Sequence, residues 1–255
     1  MRYLLTGFAL GIAATLLCTA LCGTDDSNTK EVGVEWVNQY HGYAPTLSAC
    51  DDDAVGFYST MKSKGWTGVY NYGDDNAWET DFKSSAKGGN DASWSDNVDL
   101  VYFSGHGNSG GFYVGSTHGD HKIAWQNCEW GDKDLDWIAI SSCQVLNIAS
   151  HPWTTWGWTF KGLHTMLGMD TSEYDTPSLG KYFAQYMTQT SPKMTIVQAW
   201  RQAAIMALPS GEYCAAIGVN ESGYNSMNDY LPGIGSQAAD NPDPNWFWWV
   251  RYSCG

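Results

Sequence analysis

Two short, mostly apolar stretches interrupt the more polar parts of this chain. Residues 98–107 read VDLVYFSGHG, and residues 135–143 read LDWIAISSC. Runs of β-branched and aromatic residues that stop at small residues are typical of buried strands that end in a loop. The two patterns predict neighbouring strands of a parallel sheet, with His106 and Cys143 at their carboxyl ends.

Weaker patterns, some typical of helices and some of strands, occur along the rest of the chain. Apolar residues at helical spacing predict helices after the three acidic residues 51–53, over 179–187 after Thr176-Pro177, and over 196–207 after Ser191-Pro192. Further strands are predicted at 32–40, 67–72, 162–169, 213–219 and 246–252. Residues 73–97, rich in Gly, Asp and Asn, predict a loop around a helical turn near Trp78.

Strands that alternate with helices favour a largely parallel sheet covered on both faces. We therefore predict an α/β fold with the architecture of a three-layer sandwich. Residues 23–255 are long enough to form one such domain, and no repeat or low-complexity tract divides them.

The N-terminal residues 1–22 have the pattern of a secretory signal peptide. Arg2 precedes an apolar run from Leu4 to Leu21, and small residues stand before Gly23. The expected location is secreted or extracellular, with no integral membrane segment after cleavage, or cell-surface anchored if the segment is retained. A lipoprotein anchor at Cys18 or Cys22 is a weaker alternative, because the residues before each cysteine match a lipidation box poorly.

Composition narrows the choice of partner. The formal net charge is −14, and such acidity argues against nucleic acid, since phosphate contacts need clustered Lys and Arg. The chain has 14 tryptophans, most of which should pack in the core. Trp153 and Trp156, with Trp158, closely follow Cys143 and are the candidates to line a substrate cleft.

Seven cysteines include Cys18 and Cys22, which leaves five after cleavage. An odd number in an oxidising compartment predicts one unpaired thiol. Cys143 is the candidate, because a strand end preceded by two serines suits exposure, although pairing or burial of Cys143 is the alternative. Two disulfides are then expected, of undetermined pairing, among Cys50, Cys128, Cys214 and Cys254.

Side chains at the carboxyl edge of a parallel sheet are free to react with a ligand. A histidine and a thiol delivered to that edge by neighbouring strands would form a nucleophile and proton-transfer pair. His106 and Cys143 are therefore the predicted catalytic residues.

The motifs SGHG at 104–107 and ISSC at 140–143 resemble those of the caspase-like cysteine peptidases, which include caspases, legumains, clostripain and gingipains. The resemblance implies that Cys143 attacks a peptide carbonyl to form a thioester while His106 protonates the leaving amine. It also implies that the backbone N–H groups of Gly107 and Cys143 hold the oxyanion. The substrate would be a peptide or protein, and no cofactor or metal would be needed.

Two further features qualify this resemblance. The motifs GFY at 56–58, AWE at 77–79 and GLH at 162–164 are similar to those of a poorly characterised family of secreted domains with the same fold. Several peptidases of the clan carry a small residue soon after the nucleophile, whereas this chain has Gln144-Val145-Leu146. Bulk there would narrow the specificity pocket, or indicate a site not adapted to peptides.

Two other functions remain open from the sequence. One is a non-catalytic extracellular binding module that holds a peptide or glycan in an aromatic-rich cleft. The other is a zinc site formed by His118, His121 and Cys128, joined by Asp120 or His106. The segment around these residues is rich in turn formers, which favours exposed loop histidines and no metal site. His164 has no motif beyond the resemblance, so packing or surface placement is expected for it.

Overall fold

The computed structural model describes residues 30–115 and 118–255; the signal peptide predicted at 1–22 lies outside them. The described residues form ten strands and three α-helices. The strands are β1 (Glu31–Trp36), β2 (Thr67–Gly73), β3 (Leu100–Ser104), β4 (Gly107–Asn108), β5 (Gly111–Tyr113), β6 (Lys122–Ala124), β7 (Trp137–Ser141), β8 (Thr165–Met169), β9 (Tyr213–Val219) and β10 (Phe247–Ser253). The helices are α1 (Cys50–Ser63), α2 (Leu179–Thr188) and α3 (Ile196–Ala207).

Seven of these strands form one sheet in the order β2-β1-β3-β7-β8-β9-β10. The first five are parallel to one another, whereas β9 runs antiparallel to both β8 and β10. The predicted α/β fold with a largely parallel sheet is confirmed. The strands predicted from residues 98–107 and 135–143 are adjacent in the sheet, and Ser104 is paired with Ser141 where they end.

All three α-helices pack on one face of the sheet. Alternate residues of the strands, such as Val34, Tyr102 and Ala139, join the apolar sides of α1, α2 and α3 in one core. Helix α2 lies between α1 and α3, and Phe183 in α2 stacks against Phe57 of α1 and meets Trp200 of α3 edge-on. This face therefore has the helical layer that the sequence predicts.

The opposite face is covered differently. Its core is closed by loops, short 3₁₀-helices and a small antiparallel sheet of β4, β5 and β6. Trp130 and Trp156 are fully buried there. The sequence did not predict the small sheet, and the turn expected near Trp78 is one of several 3₁₀-helices between residues 74 and 93.

Helices α2 and α3 begin at the residues that the apolar spacing predicts, but the residues that precede and cap them differ from the predicted ones. Helix α2 is preceded by Ser178 rather than by the Thr176-Pro177 pair. Helix α3 begins with a capping box between Thr195 and Gln198, well after Ser191-Pro192. The reciprocal hydrogen bonds of that box satisfy backbone donors at the first turn, which sets the start of the helix.

The five described cysteines are all free, so the expected disulfides are not present among them. The Cys128 thiol donates to the Ala124 carbonyl within its own segment, and Cys50 faces Asp175. The number of cysteines indicates whether one thiol must stay unpaired, but it does not show which thiols lie close enough to form a bond. Buried thiols also pack as small apolar groups. In the described part of the chain, no helix combines the length and the apolar character that crossing a bilayer requires.

Candidate active site

His106 and Cys143 line the same small cleft at the carboxyl edge of the sheet. They follow β3 and β7, which run side by side and end in register at Ser104 and Ser141. The cleft is also lined by Cys50 of α1 and by residues 173–176 after β8. The two side chains that the sequence singled out are thus brought to one place, while their catalytic roles stay a prediction.

The imidazole of His106 is held from two sides. Its Nε2 lies 2.8 Å from the carbonyl oxygen of Pro45, so Nε2 must carry the hydrogen and donate it. The backbone N–H of His106 donates to the Tyr40 hydroxyl (2.7 Å), and the two rings lie 4.7 Å apart. With Nε2–H engaged, Nδ1 is the nitrogen suited to exchange a proton with a substrate.

The Cys143 thiol is partly buried, and the Glu173 backbone N–H donates to its sulfur at 3.2 Å. Burial raises the pKa of this thiol above its ordinary value, and the charges of Glu173 and Glu212 add to the increase. The thiol is therefore protonated at neutral pH in this state. Reaction requires a base to take the proton as the sulfur attacks.

The bulky residues after Cys143 do not narrow the cleft. Val145 and Leu146 are fully buried in the core on the loop-covered face, and Gln144 is exposed. Gln144 has a φ of 58°, in the left-handed region that non-glycine residues rarely adopt. This sharp turn directs the chain away from the cleft immediately after the thiol.

Gly107 lies against the segment that carries Cys143. A Cβ added at Gly107 would stand 2.7 Å from the Cβ of Ser142 and 3.0 Å from the carbonyl oxygen of Cys143. Only glycine permits this close approach of the two backbones. The approach is what an oxyanion site shared by Gly107 and Cys143 would need, and that role stays a prediction.

A buried carboxylate supports the floor of the cleft. Asp53 in α1 accepts hydrogen bonds from the Tyr102 hydroxyl (2.6 Å), the Ser104 hydroxyl (3.2 Å) and the Gly180 backbone N–H (2.7 Å). Burial raises the pKa of Asp53 to about 6, although these hydrogen bonds partly oppose the increase. Asp53 thus ties α1 and α2 to the end of β3.

Two more carboxylates make one side of the cleft acidic. Glu173 accepts from the Ser141 hydroxyl at 2.6 Å, and burial raises the pKa of its carboxyl group. Asp175 accepts from the backbone N–H and the hydroxyl of Ser48, at 2.7 and 3.0 Å. The sequence did not identify either residue, because their partners lie far away in the chain. The only available signal was their position just after a predicted strand.

The aromatic residues predicted to line the cleft lie elsewhere. Trp156 is fully buried, stacks on Trp130 at 5.7 Å and donates its indole N–H to the Val145 carbonyl, so it is a core residue. Trp153 stacks on Trp249 at 5.4 Å. The rings of Trp153 and Trp249 line a separate cleft of about 640 Å³, which shares no residue with the cleft of His106 and Cys143.

The alternative zinc ligands are not brought together either. His118 stacks on Trp78 at 4.0 Å, and His121 stacks on Tyr43 at 4.3 Å. Among the residues that the structure describes, neither belongs to a group of three close ligand atoms. Stacking on aromatic rings explains the positions of both histidine side chains.

Comparison with known proteins places the chain in a family. The model of a family described as a domain of unknown function (DUF6345) matches residues 34–252. The chain belongs to the DUF6345 family. No curated protein matches this DUF6345 chain. A crystal structure of caspase-1 from Spodoptera frugiperda is similar to it, with a TM-score of 0.41 and 12% identity over 70% of this chain and 77% of that chain.

Proposed function

We propose that this DUF6345 domain is a cysteine endopeptidase that acts outside the cell, with Cys143 as nucleophile and His106 as proton carrier. The observation that supports it most is the shared cleft of the two side chains at the ends of adjacent strands. The fixed hydrogen bond from His106 Nε2–H to Pro45 adds support, because a catalytic base is normally oriented by a third group. The N-terminal sequence pattern supports export.

The reaction follows from the chemistry of the two groups. The Cys143 sulfur attacks the peptide carbonyl while its proton passes to His106 Nδ1, and backbone N–H groups bind the oxyanion. Collapse of the tetrahedral adduct breaks the C–N bond, and His106 protonates the leaving amine. Water then attacks the thioester, giving its proton to His106, and the acid product leaves as the proton returns to sulfur.

The acidic side of the cleft favours a particular substrate. Glu173 and Asp175 stand beside Cys143, so a lysine or arginine side chain entering the cleft would meet two carboxylates. Such a cation would also favour the ionised form of Glu173, whose pKa is raised by burial. We therefore expect cleavage after a basic residue.

A peptide library incubated with the purified protein and read by mass spectrometry tests the proposal. Cleavage should follow lysine or arginine and be lost in Cys143→Ala. Cys50→Ala is the matched control, since it removes another thiol of the same cleft and should leave cleavage intact. Cleavage that survives Cys143→Ala, or no cleavage by a folded protein, contradicts the proposal.

The second cleft favours a binding function as the alternative. Trp153 and Trp249 stack nearly parallel, and Trp158 and Trp246 beside them are 69% and 72% exposed. Asp243 also lines this cleft. Flat exposed indoles with a polar group at the rim suit a pyranose ring, which has apolar C–H faces and a hydroxyl edge. A glycan chain is thus the ligand that this cleft fits best.

Titration with soluble glucans and chitin oligosaccharides, followed by tryptophan fluorescence, tests this alternative. Trp246→Ala should abolish binding, while Trp78→Ala removes an indole outside the cleft and should not. Equal binding by both variants would exclude the tryptophan cleft as the glycan site.

A further inference from the structure

A histidine and three aspartates meet at the edge of the sheet opposite Cys143. Asp136 directly precedes β7, and His164 directly precedes β8. Asp229 and Asp240 belong to the connection between β9 and β10. Four residues far apart in the chain therefore converge at the amino ends of the parallel strands, away from the candidate active site.

The carboxylate of Asp229 fixes the imidazole of His164. Its Nδ1 lies 2.7 Å from Asp229, and both residues are only 3% exposed. The second oxygen of Asp229 accepts from the Ala238 backbone N–H at 2.8 Å. A carboxylate that binds one ring nitrogen fixes the tautomer and turns the other nitrogen outward, as in many metal sites of proteins.

The free side of the ring faces the other two carboxylates. His164 Nε2 lies 3.1 Å from an oxygen of Asp240 and 3.8 Å from an oxygen of Asp136. The three potential ligand atoms lie within 4.8 Å of one another. Metal–ligand bonds of about 2.0–2.2 Å put neighbouring ligand atoms about 3.0–3.5 Å apart, so small side-chain shifts would suffice.

The charge of the cluster also favours a cation. Three carboxylates surround one imidazole, so the group carries a formal charge of −2 even with the imidazole protonated. If Nδ1–H donates to Asp229, a contact between Nε2 and Asp240 needs a proton or a metal ion between them. A divalent ion at that point would replace the proton and neutralise two carboxylates.

Hydrogen bonds and a ring contact hold His164 in place within the cluster. The Ser226 hydroxyl donates to the His164 carbonyl at 2.6 Å and accepts from the Thr165 hydroxyl at 3.1 Å. The Trp137 ring packs edge-on against the imidazole at 5.7 Å. Ligands held by such neighbours lose little entropy when an ion binds.

We propose that His164, Asp136 and Asp240 bind a divalent transition-metal ion, with Asp229 as the residue that positions His164. One imidazole and two carboxylates suit Zn²⁺, Co²⁺ or Mn²⁺ better than Ca²⁺ or Mg²⁺, which prefer oxygen ligands alone. Asp136 and Asp240 are 16% and 31% exposed at their side chains, so water can complete the coordination. The ion would join the β9–β10 connection to the starts of β7 and β8.

Titration of the EDTA-treated full-length protein with Co²⁺ and Zn²⁺ tests this site. We expect one equivalent to bind, a higher Tm with Zn²⁺, and a visible Co²⁺ spectrum without thiolate charge-transfer bands. Asp240→Asn and Asp136→Asn should each weaken binding about tenfold or more. Asp243→Asn, a substitution in the same connection outside the cluster, is the control and should not change it.

Three outcomes would overturn the proposal. The first is no binding of Co²⁺, Zn²⁺ or Mn²⁺ in millimolar excess by a folded protein. The second is unchanged affinity in both ligand variants, and the third is a thiolate signature in the Co²⁺ spectrum. If the variants do not fold, the stoichiometry and Co²⁺ spectrum of the unsubstituted protein still decide between these outcomes and the proposed site.

Discussion

Cys143 differs from the other four described cysteines in being partly exposed, whereas those four are buried. Iodoacetamide should therefore label Cys143 first. Only the thiolate reacts, and the pKa of Cys143 is raised by burial, so labelling should be slow at neutral pH and accelerate as pH rises past the ordinary thiol value. Peptide mapping by mass spectrometry across a pH series measures this. Fast labelling that is flat across neutral pH would indicate a thiolate already formed.

Gly107 is the residue whose substitution best tests the close approach at the cleft. Gly107→Ala puts a methyl group 2.7 Å from the Ser142 Cβ, which should cost about 1–3 kcal/mol and displace the candidate oxyanion donor. Gly110→Ala is the matched control, because its methyl group would meet mainly the flexible end of Lys122. Urea denaturation and peptide cleavage should both be impaired in the first variant and nearly normal in the second.

At the scale of elements, the two later helices differ in how they begin. Thr195 caps α3 by accepting from the Gln198 backbone N–H, whereas Ser178 before α2 makes no side-chain cap hydrogen bond. Thr195→Ala should lower the free energy of unfolding by about 1 kcal/mol, and Ser178→Ala should change it little. Denaturant titration measures both values, and equal losses would contradict the assignment of the cap.

Asp53 connects α1, β3 and α2, and its titration should be visible in stability. Its pKa is about 6 when folded, against 3.8 as the ordinary value, so the folded state binds the proton more tightly. The tighter binding of this proton stabilises the folded state fully below pH 3.8, and the stabilisation is lost as pH rises to about 6. The loss amounts to about 3 kcal/mol, given about 1.4 kcal/mol per pKa unit.

The free energy of unfolding of Asp53→Asn, compared with the unsubstituted protein from pH 4 to 7, isolates this contribution. The difference between the two proteins should change by about that amount across the range. Asp52→Asn, which removes a carboxylate from the exposed neighbour in α1, is the control. A difference for Asp53→Asn that stays constant from pH 4 to 7 would contradict the raised pKa.

The elements that could be predicted from the sequence are those with a dense local pattern. β3 and β7 are apolar at nearly every position because both faces are buried, and α1 shows its apolar residues at helical spacing. Strands β4–β6 have only two or three residues each, too few for any period. His106 and Cys143 could be found because each ends such a strand.

Other parts of the site depend on contacts between distant residues. Glu173 forms hydrogen bonds with Ser141 and Cys143, and Asp53 interacts with groups in three elements. The tryptophan prediction failed for Trp156 for a similar reason. Closeness to Cys143 in sequence says nothing about which face of the sheet a short 3₁₀-helix covers.

At the scale of the whole molecule, the face of the large sheet that loops and 3₁₀-helices cover relies on large aromatic residues. Trp156→Ala should lower the free energy of unfolding by about 3–5 kcal/mol, because Trp156 is fully buried and stacked on Trp130. Trp158→Ala removes a ring that is 69% exposed in the same 3₁₀-helix and should cost little. Chemical denaturation followed by far-UV circular dichroism compares them, and similar losses would contradict the described core.

The order of strands across the large sheet has a consequence for how the chain assembles. After β1 and β2 have paired, β3 adds beside β1, and each later strand of the sheet then adds beside the one before it, in the sequence β7, β8, β9 and β10. No strand has to enter between two that are already joined. A chain that is synthesised from its N-terminus can therefore add each of these later strands at the same edge of the sheet. The cleft of His106 and Cys143 is completed on the way, once the residues after β8 have emerged.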